Sequence, residues 1–334
     1  MTEFLDACYV AIRKQETSIA NTLAAVNTQD ATILHDKRLI ILTGCGDSLA
    51  AADYGKWAFL RQGMNAVTLS PSELTQVHLD KDCVVIGVSA SGRSLATVDA
   101  LKLAQESKAA TVLLTDKEDR DTVGYADYTW TTKSGATSYN ISPSSITTAA
   151  MAYLLRLSVE NQEAQQTKIS SDVNLLKSGG KKIVDWAEKI GKQIAEVPIL
   201  GKPLFMISEG ANYTAAQVGM MKFNEYGVLQ STTALWEDFR HHYVLTINKD
   251  DGAVLITDSP PKEDDRRYLH ALLDTLKMRS YHLFTPEEIG LRTSLGQAIS
   301  NSIALQMAAY YNVLKHDSHK EGWRKPNVDA FKIY

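Results

Sequence analysis

The chain has 334 residues, 44% of them hydrophobic and 22% charged, an ordinary globular composition with room for two domains. A net charge of -4 with no basic stripe argues against nucleic acid as a partner. Three widely spaced cysteines, Cys8, Cys45 and Cys83, argue against a disulfide framework or a structural zinc site and fit a reducing compartment. The first residues, MTEFLDACYVAIRKQE, carry charges at helical spacing and no long apolar run, so neither a signal peptide nor a membrane span is expected and the cytoplasm is the expected location.

Residues 3–28 read as an amphipathic helix, with Phe4, Leu5, Cys8, Ile12, Ile19 and Leu23 near helical spacing. Arg38–Thr43 is a short apolar run ending at Gly44, the pattern of a buried strand. The turn Gly44-Cys-Gly-Asp-Ser48 then opens into a helical pattern, Leu49–Leu60. Val67–Leu69 and Cys83–Val88 read as further strands, and the second runs into the turn Ser89-Ala-Ser-Gly-Arg-Ser94. A helical pattern over Leu95–Glu106 and a strand over Ala110–Leu114 follow. Strands alternating with helices predict a parallel sheet covered on both faces. Residues 134–148 are rich in Ser and Thr and precede a helix, Ala149–Glu160. Residues 161–198 are polar and Lys-rich and read as a connector with a helix of its own. The plan then repeats: a strand at Pro203–Ile207, a Gly-containing turn at Ser208–Tyr213, a helix to Tyr226, and a strand at Gly252–Thr257. The mixed charges of residues 261–267 read as a solvated helix start. A strand at Tyr281–Phe284 and a long apolar helix at Leu295–Lys315 complete the half. Strand, glycine turn and helix at 38–60 and again at 203–226 suggest a duplicated α/β unit.

Open parallel sheets bind ligands at the carboxyl ends of their strands. In the turn after Val88, the hydroxyls of Ser89, Ser91 and Ser94 and the amides opening the next helix suit an oxyanion, Gly92 permits close backbone approach, and Arg93 can add a charged contact. For a single serine a plain helix N-cap is the better explanation; for three at this spacing after an apolar strand both readings stand. The Gly44–Ser48 turn lacks the third glycine of a dinucleotide fingerprint, since Ala50 and Ala51 stand where it would be sought; no such cofactor is expected. In the second half, Lys222 and Glu225 are three apart and share a helix face, Gly227 is a stop, and the segment with Ser231, Thr232 and Thr233 reads as a loop that returns His241 towards that helix. A carboxylate, an ammonium and an imidazole so placed can move protons at neutral pH. A solvated Lys–Glu pair with a structural histidine is the other reading. The pair His241-His242 lacks a second ligand at helical spacing, so no metal is expected.

Together these residues resemble the sugar isomerase (SIS) domain family, in the form of two tandem domains similar to the isomerase half of glucosamine-6-phosphate synthase and to related deaminases and deglycases. The turn 89–94 matches the family's phosphate-binding S-x-S-G-x-[ST]; 44–48 matches its first glycine loop; Pro71-Ser-Glu73 matches a recurring small-Ser-Glu. Gly219–Glu225 matches its catalytic helix, and His241 stands at the sixteen-residue offset of its ring-opening histidine. The resemblance implies an α/β fold of two doubly wound, flavodoxin-like parallel-sheet domains. Residues 1–34 would form an N-terminal helix, 35–161 the first SIS domain, 162–198 a helical connector, and 199–334 the second SIS domain with the catalytic helix and C-terminal tail. It implies catalytic roles for Glu225, His241 and Lys222, with Lys332 in the tail as a further lysine, and substrate contacts from Gly46, Asp47, Ser48, Ser89, Ser91, Arg93, Ser94 and Ser142. Two positions depart from the family pattern: Asp47 replaces a phosphate-contacting hydroxyl, and His242 replaces a glycine.

The activity so implied is aldose–ketose isomerisation of a 6-phosphorylated sugar, with the amino sugars included, by ring opening and proton transfer through an enediol. Neither cofactor nor metal takes part. Family members borrow the histidine from a neighbouring subunit, so at least a homodimer with a shared site is implied; the partner is otherwise a small anionic sugar, with neither nucleic acid nor membrane. Three alternatives use the same residues: an amino-sugar-phosphate deaminase or fructosamine-6-phosphate deglycase, a non-catalytic phosphosugar-binding module, and an isomerase for a sugar whose anionic tail is a sulfonate. With no glutamine-hydrolysing domain before residue 35 and Met1-Thr2 in place of a nucleophilic cysteine, glutamine-dependent synthesis is not expected.

Overall fold

A computed structural model of the chain describes residues 2–117, 124–138, 141–160, 167–323 and 330. Lys332 lies outside them. Packing divides the chain into two compact units. The first holds Lys14–Tyr139 and Ser145–Ser178; the second holds Met1–Arg13, Asn140–Ser144 and Gly179–Val328. The units therefore do not follow the linear boundaries read from the sequence: helix α1 (Glu3–Arg13) and the stretch around Ser142 pack with the second half of the chain. The single helix expected over 3–28 is two, α1 and α2 (Gln15–Ala25), interrupted at Lys14. Lys14 keeps helical dihedrals (φ -55, ψ -21), but its carbonyl accepts from both Thr17 and Ser18, and the interruption falls where one unit ends in sequence and the other begins.

The first unit is built from β1 (Leu39–Gly44), α3 (Asp47–Leu60), β2 (Ala66–Thr68), β3 (Cys83–Val88), α4 (Leu95–Glu106), β4 (Ala110–Thr115), β5 (Tyr128–Thr131), α5 (Ser145–Glu160) and α6 (Thr167–Ser178). Its sheet has the order β2-β1-β3-β4-β5, and every pair is parallel. β3 is buried at all six positions and β1 at five, because helices cover both faces of a parallel sheet. Ile41, Val85, Leu101 and Leu113 centre one core cluster of this unit.

The second unit contains α7 (Gly180–Ile194), β6 (Leu204–Ser208), α8 (Asn212–Tyr226), β7 (Ser231–Leu235), α9 (Trp236–His241), β8 (Gly252–Ile256), α10 (Glu263–His270), β9 (Arg279–Leu283) and α11 (Ser294–His316). Its sheet is β7-β6-β8-β9, again parallel throughout and in the same order as the first four strands of the other unit. α11 is buried along most of its length and packs against α7 and α8. The connector is thus two helices, α6 and α7, one in each unit, and the charged stretch before Tyr268 opens α10 with Arg267 paired to Asp264 at the surface. No helix among the described residues is long and apolar enough to cross a membrane.

Candidate active site

In the first unit, two turns at the carboxyl ends of β1 and β3 come together. Gly44 ends β1 in a place where a Cβ would lie 2.8 Å from the Val88 carbonyl oxygen, so only glycine fits beside the end of β3. Gly46 takes φ +55 and turns the chain into α3, whose first residues are Asp47 and Ser48. Gly92 takes φ +69 within the Ser89–Ser94 turn. Ser94 occupies the N-cap of α4, yet its side chain makes no cap bond. Its hydroxyl donates to the Cys45 thiol sulfur at 3.4 Å and accepts from Thr97 at 3.2 Å. This chain of contacts ties the glycine loop to the serine turn. Ser91 accepts from the Arg93 amide at 3.3 Å, Ser89 is buried, and Arg93 is exposed. Asp47, half-buried, accepts from Thr147 in the first turn of α5 at 3.4 Å. Its carboxylate therefore lies by the opening turns of two helices, where negative charge is favoured.

Thr97 and Thr147 were not read from the sequence as part of this region. Both sit in the first turn of a helix, where a threonine carries no signal of its own. Glu73, in the small-Ser-Glu match, accepts from the Ser70 amide at 2.7 Å and caps a 3-10 turn over Pro71–Gln76.

In the second unit, α8 carries Lys222 and Glu225. Gly219 lets this helix approach α11: a Cβ there would lie 2.9 Å from Leu305. Gly227 takes φ +66 and ends the helix. Asn224 then accepts from the Ser231 amide at 2.8 Å and donates to the Ser231 carbonyl at 3.0 Å, joining the helix end to β7. Lys222 is only 1% exposed and its ammonium donates to Glu225 Oε2 at 2.8 Å. The hydroxyl of Ser142, also 1% exposed, donates to the same oxygen at 2.7 Å. Behind this group lie Tyr226 and the Cys8 thiol of α1, both fully buried; burial pushes the Cys8 thiol up, opposed by a contact with the Ser142 backbone. A solvated surface pair is excluded for Lys222, since its charge is out of water and needs the carboxylate.

His241 does not join this group. The segment expected as a returning loop is a strand, β7, paired in parallel with β6 from Leu204↔Ser231 to Ser208↔Leu235. It leads into the short helix α9, whose buried residue is Phe239. His241 is 79% exposed at its side chain and sits 3.5 Å from Glu237, which also pairs with Arg240. Among the described residues no cluster of three His, Cys, Asp or Glu could hold a metal ion.

Residues 33–159 match the family described as SIS domain. Over 252 residues the chain is 27% identical to the glutamine--fructose-6-phosphate aminotransferase [isomerizing] of Aquifex aeolicus (strain VF5), covering 73% of this chain and 42% of that protein. The chain spans between 27% and 51% of the length of the first curated relatives that it matches. Its fold is similar to the C-terminal domain of glucosamine-fructose-6-phosphate aminotransferase from Francisella tularensis, with a TM-score of 0.78 at 15% identity over 92% of this chain and 95% of that one. It is also similar to tagatose-6-phosphate ketose/aldose isomerase from Escherichia coli, with a TM-score of 0.72 at 18% identity over 93% of each. Residues 33–159 thus match the SIS domain, and the parallel sheet of like strand order that follows it makes the whole chain similar in fold to proteins with two such units.

Proposed function

We propose that the chain is an aldose–ketose isomerase for a 6-phosphorylated, or otherwise 6-anionic, sugar. The observation that supports this most is Glu225: a half-buried carboxylate held by a buried ammonium and a buried hydroxyl on a helix matching the family's catalytic helix. Glu225 takes the proton from C2 of the aldose and returns it to C1 through the enediol, or the reverse from the ketose. Lys222 holds the carboxylate in place through its ammonium. The turn around Ser89, Ser91, Arg93 and Ser94, with Gly46, Asp47 and Ser48, holds the anionic tail, and that remote binding fixes the reacting carbons. His241 moves the proton that opens the ring; its exposed position on α9 suits a homodimer in which this helix faces the neighbouring subunit's site. Lys332 of the tail is the second cation that the family pattern offers for the developing oxyanion. The three free thiols suit a cytoplasmic setting.

The test is Glu225→Gln. In deuterium oxide with fructose 6-phosphate, the variant is expected to lose C1 proton exchange by roughly 10³-fold, within the range of general-base contributions. Thermal stabilisation by the sugar phosphate should persist, since the tail contacts are untouched. Exchange at the wild-type rate in the variant would remove Glu225 from the reaction.

A further inference from the structure

The family resemblance gives Ser142 to the sugar. Its surroundings argue for a different task. Ser142 is 1% exposed, its segment packs with the second unit rather than with the strands that precede it, and its hydroxyl is committed to Glu225 Oε2 at 2.7 Å, across 83 positions of sequence. The second donor to that oxygen, Lys222, approaches at 2.8 Å from within α8. We infer that Ser142 is a positioning residue that acts through Glu225: with Lys222 it pins one carboxylate oxygen from two sides, so that the carboxylate meets the substrate carbon in one orientation.

The physical case has three parts. A glutamate side chain turns freely about its last bond, because that torsion is broad and nearly two-fold. One donor three positions away on the same helix leaves that freedom partly in place, since the lysine moves with the same backbone. A hydroxyl from a separate segment fixes the carboxylate against something that α8 does not carry. That segment is itself anchored: Cys8 of α1 and Tyr226, each at most 1% exposed, fill the space behind it. Hydrogen bonds to the ionised form also favour ionisation. Ser142 therefore contributes both orientation and charge state, neither of which needs contact with the sugar.

This inference rests on Glu225 being the base, and its test separates the two. Ser142→Ala and Ser142→Thr are compared with wild type for turnover of fructose 6-phosphate and, without substrate, for titration of Glu225 in protein labelled with ¹³C at the glutamate carboxyls, the signal being assigned by its loss in Glu225→Gln. For Ser142→Ala the expected kcat falls roughly 10- to 100-fold, the scale of a misplaced catalytic group, while KM stays near the wild-type value. The Glu225 signal should titrate about one pH unit higher, and Ser142→Thr, which keeps a hydroxyl, should recover much of both. An unmoved Glu225 titration in Ser142→Ala overturns the inference whatever the kinetics. So does a raised KM at unchanged kcat, which would return Ser142 to the sugar. If Ser142→Ala moves the titration but wild type turns over no sugar phosphate, the positioning holds and the isomerase reading is the part that fails.

Discussion

Gly191 in α7 faces α11 so closely that an added Cβ would lie 2.5 Å from Met307 Cβ, 2.9 Å from the Ala308 amide nitrogen and 3.0 Å from the Ala304 oxygen. Two of those neighbours are backbone, which cannot swing away. Alanine is the better helix former by about 1 kcal/mol. Overpacking against backbone costs about 3 kcal/mol at the upper end of its usual range, so the clash wins. Gly191→Ala should therefore destabilise the fold by about 2 kcal/mol. Gly219→Ala provides the contrast. Its nearest neighbours all belong to the Leu305 side chain, which can shift, so the two effects should nearly cancel. Urea unfolding followed by tryptophan fluorescence checks the order; equal midpoints for Gly191→Ala and wild type would mean that the α7–α11 contact relaxes more easily than these distances imply. At this scale the sequence was only partly informative. Lys222 and Glu225 were legible as a pair because helical spacing is local. Ser142 as a partner of Glu225 was not, because nothing in the sequence around either residue encodes a contact over 83 positions.

α1, α7 and α11 meet at Glu188. Its Oε2 accepts from Arg13 at 2.9 Å and from the Tyr9 hydroxyl at 3.2 Å; its Oε1 accepts from the Tyr311 hydroxyl at 2.6 Å and pairs with Lys192 at 2.9 Å. Burial pushes this carboxyl up, but the bonds from Tyr311 and Lys192, the Lys192 charge and the Tyr9 bond outweigh it and hold the carboxyl at about 2, below its ordinary 4.5. A carboxyl depressed in the folded state binds fewer protons folded than unfolded. Its contribution to stability is thus full above the unfolded value of about 4.5 and is lost as pH falls towards about 2. Wild type should lose melting temperature steeply across that window, and Glu188→Gln should start lower at pH 7 but fall less. Parallel decline of both proteins from pH 5 to pH 2.5, by circular dichroism, would show that other carboxylates dominate. The elements themselves were legible where burial is two-sided. β3, β6 and β8 are buried at every position and read as unbroken apolar runs. The edge strands β5 and β7 are only partly buried, and Tyr128–Thr131 and Ser231–Leu235 have the mixed polarity of loops. Missing β7 is what misdirected His241.

The two units repeat one plan, and the repetition raises the question of how many ligands the chain binds. Gly46 and Gly210 each stand two residues beyond the first central strand of their sheet, each with positive φ, and each opens a helix, α3 or α8. The chemistry at the two helix starts differs. In the first unit the turns after β1 and β3 offer serine hydroxyls, an arginine and the Cys45 thiol. In the second unit the corresponding place is filled by side chains bound to one another. Asn212 donates to Asp258 at 2.8 Å and accepts from Asn301 at 3.0 Å; Asn301 accepts from Thr285 at 3.0 Å. Asn212, Asn301 and Thr285 are at most 2% exposed. An anion arriving there would have to break these bonds and lie against the Asp258 carboxylate, and removing partners from buried polar groups costs about 1–3 kcal/mol each. Unpaired repulsion between the anion and Asp258 adds to that cost. The second helix start is therefore closed to a sugar phosphate, and its polar side chains hold α8 to α11. Isothermal titration with fructose 6-phosphate should give one site per chain, abolished by replacing Ser89, Ser91 and Ser94 together with alanine and unaffected by Asp258→Asn. Two sites per chain, or one that survives the triple replacement, would place the anion in the second unit and reverse the division of labour between the repeats.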